Sequence, residues 1–226
     1  MQDFEQHAHG VSPPVWPSGP AARDLHSIAN ASRRDSVENM STSNPQYTVP
    51  GLSSAEGDKV AGILQERLSA LIDLSLTLKH VHWNVVGPHF IAVHEMIDPH
   101  VDEVRAMVDE TAERIATLGE SPRGTPGSVV SKRSWDDYGL GRASTNEHLG
   151  ALDEVYVSVI TDHRKAQEAV SDIDPMTEDM IIAQARQLEL FHWFVRAHLE
   201  TTEGGLSTAG ATSEQQAAKQ AGSAAD

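Results

Sequence analysis

Apolar residues recur with helical spacing in four long segments of this chain. Capping boxes at Ser53 and Ser144 indicate where the first and third segments begin. Asp174 followed by Pro175 supplies an N-cap and a first-turn proline for the fourth, and Gly119 is a stop signal for the second. The four predicted helices span about residues 53–84, 91–118, 144–171 and 174–204.

The second and third predicted helices are separated by a long connection, residues 121–141, which is rich in proline and glycine. Within it, Ser134–Tyr138 could form one short turn of helix. Four long helices with one long connection predict an all-α fold, a ferritin-like four-helix bundle with a short extra helix in that connection. Patterning alone leaves an ordinary helical bundle without metal as an alternative.

The two ends of the chain have a different composition from the helical region. The first 50 residues hold six prolines and have no apolar period, and the end of the chain is mainly Gly, Ala, Ser, Thr and Gln. We therefore predict a disordered N-terminal extension (1–47), a helical domain (48–203) and a disordered C-terminal tail (204–226). Met40 offers an alternative start, which would make residues 1–39 an upstream misreading or a dispensable leader.

Composition narrows the chemistry that the chain can perform. It has no cysteine, so disulfides and thiol catalysis are excluded, and any metal would be bound by His, Asp and Glu. The formal net charge of −16 is the opposite of what a simple nucleic-acid binder carries. Because the sequence has neither a long apolar run nor a secretory signal, we expect a cytoplasmic protein, with nucleoid association left open.

The second predicted helix carries one histidine and three acids on a single stripe. Counting about 100° per residue from His94, Asp98 falls at about 40°, Asp109 at about 60° and Glu113 at about 100°. Like charges on one helix face repel each other unless a cation lies among them. The pattern therefore indicates a metal site.

The spacing along the helix axis places this site between two chains. His94 and Asp109 are separated by fifteen residues, or about 22 Å, which is too far for one metal centre. If two copies of the helix pack antiparallel about a two-fold axis near residues 101–104, the His end of one lies beside the acidic end of the other. Two identical sites would form, and His82, at the end of the first helix, could supply a further ligand to each.

These residues resemble the signature of the Dps family of mini-ferritins, over roughly residues 48–202 and with actinobacterial members in particular. The matching positions are His82, Trp83, Phe90, His94, Asp98, Asp109, Glu113 and Arg114. The resemblance implies a cytoplasmic dodecameric cage that oxidises Fe(II) with hydrogen peroxide, stores the ferric mineral and so limits oxidative damage. It also implies that Trp83 stacks beside the site.

The same resemblance implies a role for each ligand of a ferroxidase centre that handles iron as Fe²⁺ and Fe³⁺. His82 and His94 would come from one subunit, and Asp109 and Glu113 from its two-fold partner. Asp98 would be an additional ligand on the histidine side. A competing metal site within one bundle could use Glu189 and His192, but that scheme needs a second Glu-x-x-His unit on a facing helix.

The acidic core suggests a path for cations. Residues 51–202 contain 25 acidic and 13 basic residues, and ferritin-like cages take in cations through acidic pores. Asp162, Glu168 and Asp172, late in the third helix, are candidates for such a pore lining. A solvated charged face is the alternative.

A nucleoid-compacting, DNA-binding protein with iron storage secondary is the alternative function. Binding DNA through the tails would require several basic residues. The first 50 residues carry three arginines against five acids, and the segment after residue 202 carries only Lys219 against three acids. We therefore do not expect the tails to bind DNA tightly.

Overall fold

The computed structural model describes residues 47–224. The predicted N-terminal extension therefore lies, apart from Tyr47, outside the described residues. The elements in chain order are α1 (Ser54–Asn84), β1 (Val85–Val86), α2 (Phe90–Thr117), α3 (Pro126–Lys132), β2 (Ala143–Ser144), α4 (Thr145–Val170), α5 (Pro175–Leu199) and α6 (Glu214–Ser223).

Three of the four long helices begin at the side-chain caps that the sequence predicts. The Ser53 hydroxyl accepts from the Glu56 amide, and the Glu56 carboxylate accepts from the Ser53 amide at 2.8 Å. Ser144 and Glu147 repeat this reciprocal arrangement at the start of α4. Asp174 caps α5 by accepting from the Met176 amide. Side chains thus satisfy amide groups that have no partner inside their helices.

The apolar faces of α1, α2, α4 and α5 enclose the core, with α1 packed on α2 and α4 packed on α5. Tyr156 of α4 is fully buried, and its hydroxyl lies 3.0 Å from Nδ1 of His100 on α2, so the one polar group of this large side chain is satisfied. The predicted all-α four-helix bundle is confirmed. No helix within residues 47–224 is long and apolar enough to cross a membrane.

The long connection between α2 and α4 contains a short helix, as predicted, but not at the predicted place. The helix is α3, which begins at Pro126, a residue whose fixed φ suits the first turn. Ser134–Tyr138 is not helical, because the Trp135 indole donates to Asp73 of α1 at 2.8 Å and so ties this segment along the bundle. The connection ends in β2, which pairs in parallel with β1, Val85 lying opposite Ala143.

The prediction of a disordered C-terminal tail is wrong for the residues that the structure describes. Helix α5 ends at Leu199, before the predicted end near Gly204, and α6 then packs against α4. Gly150 of α4 allows this contact, because a Cβ atom there would lie 2.6 Å from the Ala217 carbonyl oxygen. The sequence pattern did not indicate a packed helix in this segment, because the buried face of α6 consists only of alanines.

The segment between α5 and α6 is fixed by a buried polar cluster. Asp153 of α4 accepts from the Thr208 hydroxyl and from His192 Nε2, both at 2.6 Å. Although burial raises the pKa of the Asp153 carboxyl, these hydrogen bonds hold it below its usual value. The C-terminal segment is therefore held by a charged hydrogen bond as well as by packing.

Candidate metal centre

His82 and His94 lie face to face where α1 ends and α2 begins. Their ring centroids are 3.6 Å apart and the ring planes differ by 22°. The turn between the two helices brings the two rings close together. In this turn Gly87 has φ +93°, and His89, the N-cap of α2, has φ +62°. Two backbone positions in the left-handed region thus reverse the chain within a few residues and bring the histidines together.

The hydrogen bonds of the two imidazoles determine which nitrogen is free. Nδ1 of His82 lies 2.9 Å from the carbonyl oxygen of His94, and Nδ1 of His94 lies 2.9 Å from the carbonyl oxygen of His82. A carbonyl oxygen can only accept, so each Nδ1 carries the proton and donates it. In the neutral imidazole this leaves the lone pair on Nε2, which is the arrangement that a metal-binding histidine requires.

Asp98 lies one turn after His94 and joins this pair. Its Oδ1 is 3.2 Å from Nδ1 of His82 and accepts a hydrogen bond from Lys79 Nζ at 2.6 Å. The hydrogen bond from Lys79 holds the pKa of the Asp98 carboxyl below its usual value. Asp98 is therefore an anionic group at the histidine pair, although one of its oxygens is already engaged by a cation.

Lys79 is a site residue to which the sequence analysis gave no role. It lies three residues before His82, and positions separated by three residues share a face of a helix. That spacing was the one feature of the sequence that could have indicated that Lys79 lies near His82. The ion pair itself joins α1 to α2 and depends on how these helices pack, which the sequence pattern does not specify.

Asp109 and Glu113 lie on the exposed side of α2, at the far end from the histidines. The single chain does not bring the two halves of the predicted centre together. Among residues 47–224, no group of three or more His, Asp or Glu side chains could hold a metal ion within one chain. Within one chain the histidine pair therefore lies where α1 ends and α2 begins, and the two acids lie apart from it, near the other end of α2.

Aromatic residues near the histidines are partly exposed. Phe90 packs against His94, with ring centroids 5.0 Å apart. Trp83 is 71% exposed and makes no aromatic contact among the described residues. Its predicted stacking beside the site does not occur within one chain and stays a prediction for an assembly.

The competing site within one bundle is already filled by other interactions. Glu189 accepts from Arg164 Nε at 2.9 Å, and His192 is bonded to Asp153. Both side chains of the Glu-x-x-His unit therefore have protein partners on α4. This arrangement disfavours a metal site inside the bundle.

The three candidate pore residues do not lie on one face. Glu168 and Asp172 are exposed and one turn apart on α4 and in the turn after it. Asp162 instead accepts from Lys165 at 3.0 Å and lies 3.8 Å from the guanidinium of Arg67 on α1. Only the first two therefore present a shared acidic surface.

The comparisons with known proteins agree with this architecture. Residues 61–204 match the family described as ferritin-like domain. The curated DNA protection during starvation protein of Mycolicibacterium smegmatis is 55% identical over 175 residues, which cover 77% of this chain and 96% of the relative. The solved structure of Mycobacterium smegmatis Dps is 56% identical, with a TM-score of 0.73, over 74% of this chain and 95% of that one. DpsA14 from Streptomyces coelicolor is 60% identical, with a TM-score of 0.71, over 72% and 97%.

Proposed function

This chain belongs to the Dps family of ferritin-like proteins, and from that premise we propose that it is a cage subunit that oxidises Fe(II) and stores the ferric product. The observation that carries the proposal is the stacked histidine pair, whose Nδ1 atoms are bound to carbonyl oxygens and whose Nε2 atoms are left for a metal. Two imidazoles with nearby carboxylates suit Fe(II), and oxidation hardens the ion towards oxygen ligands.

The centre is completed by a second copy of the chain. In an antiparallel pair of α2 helices, His94 would lie beside Glu113 of the other copy, and Asp98 beside Asp109. The midpoint of both pairings falls between residues 103 and 104, so one two-fold axis satisfies both. Each interface then holds two identical sites, about 22 Å apart along the helix.

Exposed apolar side chains on the two helices that carry the histidines support contact with a partner in an assembly. Leu76 and Trp83 of α1 and Ile91 of α2 are 60%, 71% and 57% exposed. Large apolar groups that cluster on a surface mark sites of protein contact. A partner placed there would also cover the histidine pair and give Trp83 a packing partner. The assembly we propose is a homo-oligomer, a dodecamer in keeping with the family resemblance.

The reaction we propose uses Fe(II) as substrate and hydrogen peroxide as oxidant, the latter on the family resemblance. Two Fe(II) ions supply the two electrons that, with two protons, reduce one hydrogen peroxide to two water molecules. The ferric ions then hydrolyse and release protons as the oxide-hydroxide forms inside the cage. Because Fe(II) and peroxide are consumed together, the cell is protected from the radicals that they would otherwise generate.

Iron loading tests the proposal. Wild-type protein given Fe(II) and peroxide should develop ferric absorbance rapidly while sizing shows an assembled cage. Replacing His94 by Ala should lower the initial rate at least about tenfold, since removal of even an indirect metal partner costs that much. His198→Ala, a change at an exposed histidine of α5, is the matched control and should keep the wild-type rate. Equal rates in both variants would reject the proposed centre.

Cation entry is a separate part of the proposal. Glu168 and Asp172 are the exposed acids that could line a pore, and an acidic surface raises the local concentration of cations. The double change Glu168→Gln with Asp172→Asn should slow mineral growth but leave the first oxidation turnover unchanged. An unchanged rate of growth would show that these acids form only a solvated face.

DNA compaction is the second candidate, because the curated relative from Mycolicibacterium smegmatis is named for DNA protection. The described part of the C-terminal segment opposes it, since α6 is packed on α4 and carries a single cation, Lys219. We expect the cage to leave linear DNA unshifted in a gel at physiological salt. Retardation that is lost on deleting either tail would favour DNA compaction.

A further inference from the structure

Helix α6 begins over a cavity of about 240 Å³ that lies between α1, α4 and the connection preceding β2. Glu214, the first residue of α6, lines this cavity. Its Oε2 atom is buried and has no hydrogen-bond partner among the described residues. A buried carboxylate oxygen without a donor is costly when charged and much less costly when protonated.

The surroundings of Glu214 are predominantly acidic. The ionisable groups that face it from the neighbouring elements are Arg67 and Asp73 of α1, Arg133, Asp136, Asp137 and Tyr138 of the connection, and Glu154 and Asp162 of α4. Arg133 pairs with Asp73 and Asp137, whereas Arg67 lies 3.8 Å from Asp162 and its buried Nη1 atom has no hydrogen-bond partner among the described residues. Neither is hydrogen-bonded to Glu214.

We propose that α6 is a pH-sensitive latch, which packs against α4 while Glu214 is protonated and is loosened when Glu214 ionises among the carboxylates of the cavity. This inference is independent of the proposed ferroxidase function. It concerns the C-terminal segment, not the histidine pair, and the latch would control whether that segment is packed on the bundle or released from it.

The titration of Glu214 falls in the physiological range. Burial, together with Asp73, Asp136 and Glu154, raises its pKa to about 7. The partial positive charge at the start of α6 favours the ionised form, but it does not outweigh these effects. Because the pKa is raised in the packed state, the stabilisation is complete below the ordinary value of about 4.5 and is lost as the pH rises through about 7.

The side chains that α6 buries against α4 are small. The buried face of this helix consists of Ala217, Ala218 and Ala221, each of which offers one methyl group. With pKa values of about 7 packed and about 4.5 released, the opening equilibrium should rise about tenfold between pH 6 and pH 8. A short terminal helix whose buried side chains are single methyl groups can open without unfolding the bundle.

Hydrogen exchange of the assembled full-length protein tests the latch. Exchange of the α6 amides, corrected for intrinsic rates, should speed up about tenfold from pH 6 to pH 8 in the wild type. Glu214→Gln should remove this dependence, because glutamine stays neutral. Glu203→Gln, a change at an exposed glutamate in the preceding turn, should retain it. Gly150→Val, which blocks the α4 contact, gives the rate for released α6.

A second variant keeps the test decisive if Glu214→Gln alters the packing of α6 on its own. Asp136→Asn removes one carboxylate that raises the pKa of Glu214, so the transition should move to lower pH and the rise in exchange between pH 6 and pH 8 should shrink, while α6 keeps its glutamate. A wild-type α6 whose corrected exchange does not change between pH 6 and pH 8 would overturn the latch. The same conclusion would follow if the Glu214→Gln and Glu203→Gln proteins showed equal pH dependence.

Discussion

Gly150 should control whether the C-terminal helix stays packed, and Gly150→Ala tests this directly. A methyl group at this position would lie 2.6 Å from the Ala217 carbonyl oxygen and 2.8 Å from the Ala221 Cβ atom. The first contact is with backbone, so no side-chain rotation can relieve it. Either α6 shifts as a whole or it leaves the surface of α4.

The size of the effect is limited by what α6 gains from packing. Its three buried alanines contribute about 0.8 kcal/mol for each methyl group removed from water, or about 2 kcal/mol together. Because α6 can detach, we take the penalty to be about this gain from the buried methyl groups. Loss of about 2 kcal/mol raises the open population about 30-fold. Alanine also favours helix by about 1 kcal/mol over glycine, but that gain is the same whether α6 is packed or open.

Limited trypsin digestion measures the opening, because Lys219 in α6 is the only Lys or Arg after Arg196. Cleavage there removes residues 220–226, which intact-mass measurement detects, and its rate should rise about 30-fold in Gly150→Ala. Gly62→Ala is the matched control, since Gly62 lies in α1 and an added Cβ atom meets nothing within 4 Å. If the two variants are cleaved equally slowly, the proposed close contact does not hold α6.

Two further predictions concern buried polar contacts. Asp153→Asn should lower the thermal unfolding midpoint at pH 7, because it removes the negative charge that accepts hydrogen bonds from His192 and Thr208. The pKa of Asp153 is lowered in the folded protein, so the stability contributed by its charge is lost as the pH falls below about 4, and the difference from wild type should shrink there. A difference that does not depend on pH would contradict this. Arg114→Ala should destabilise the protein by about 2 kcal/mol, because it removes the 2.6 Å ion pair with Asp174 at the start of α5. The iron oxidation rate per assembled cage should stay unchanged. Calorimetry and an iron assay check these two expectations, and a loss of oxidation in intact cages would assign Arg114 a direct role.

The positions of the long helices were predictable because their start signals are local. Ser53 and Ser144 each precede a glutamate at the spacing of a capping box, and Asp174 precedes a proline. Helix α6 was not predictable from composition. Its buried face is alanine, and its stability depends on Gly150, which is more than sixty residues away in the sequence.

The sequence nominates the residues of the candidate site, which stay a prediction, but it did not indicate their local geometry. The helical spacing from His94 to Glu113 places the ligands on one stripe, and this follows from the sequence alone. The stacking of His82 on His94 and the exchange of hydrogen bonds with each other's carbonyl groups depend on a left-handed turn at His89. A non-glycine residue in that conformation is uncommon, and no sequence pattern indicated it.

The central claim is that each ferroxidase centre takes its histidines from one subunit and its acids from another. Two inactive parents are needed: His82→Gly with His94→Gly, and Asp109→Asn with Glu113→Gln. At an interface between unlike parents, one site carries both lesions and the other is fully wild-type.

The decisive measurement is Fe(II) oxidation by cages that contain both parents, with mixing verified by mass. Random pairing makes half of the interfaces unlike, and half of the sites there are intact, so about a quarter of the wild-type rate should return. Mixed cages that remain as inactive as either parent would show that the ligands do not combine across the interface.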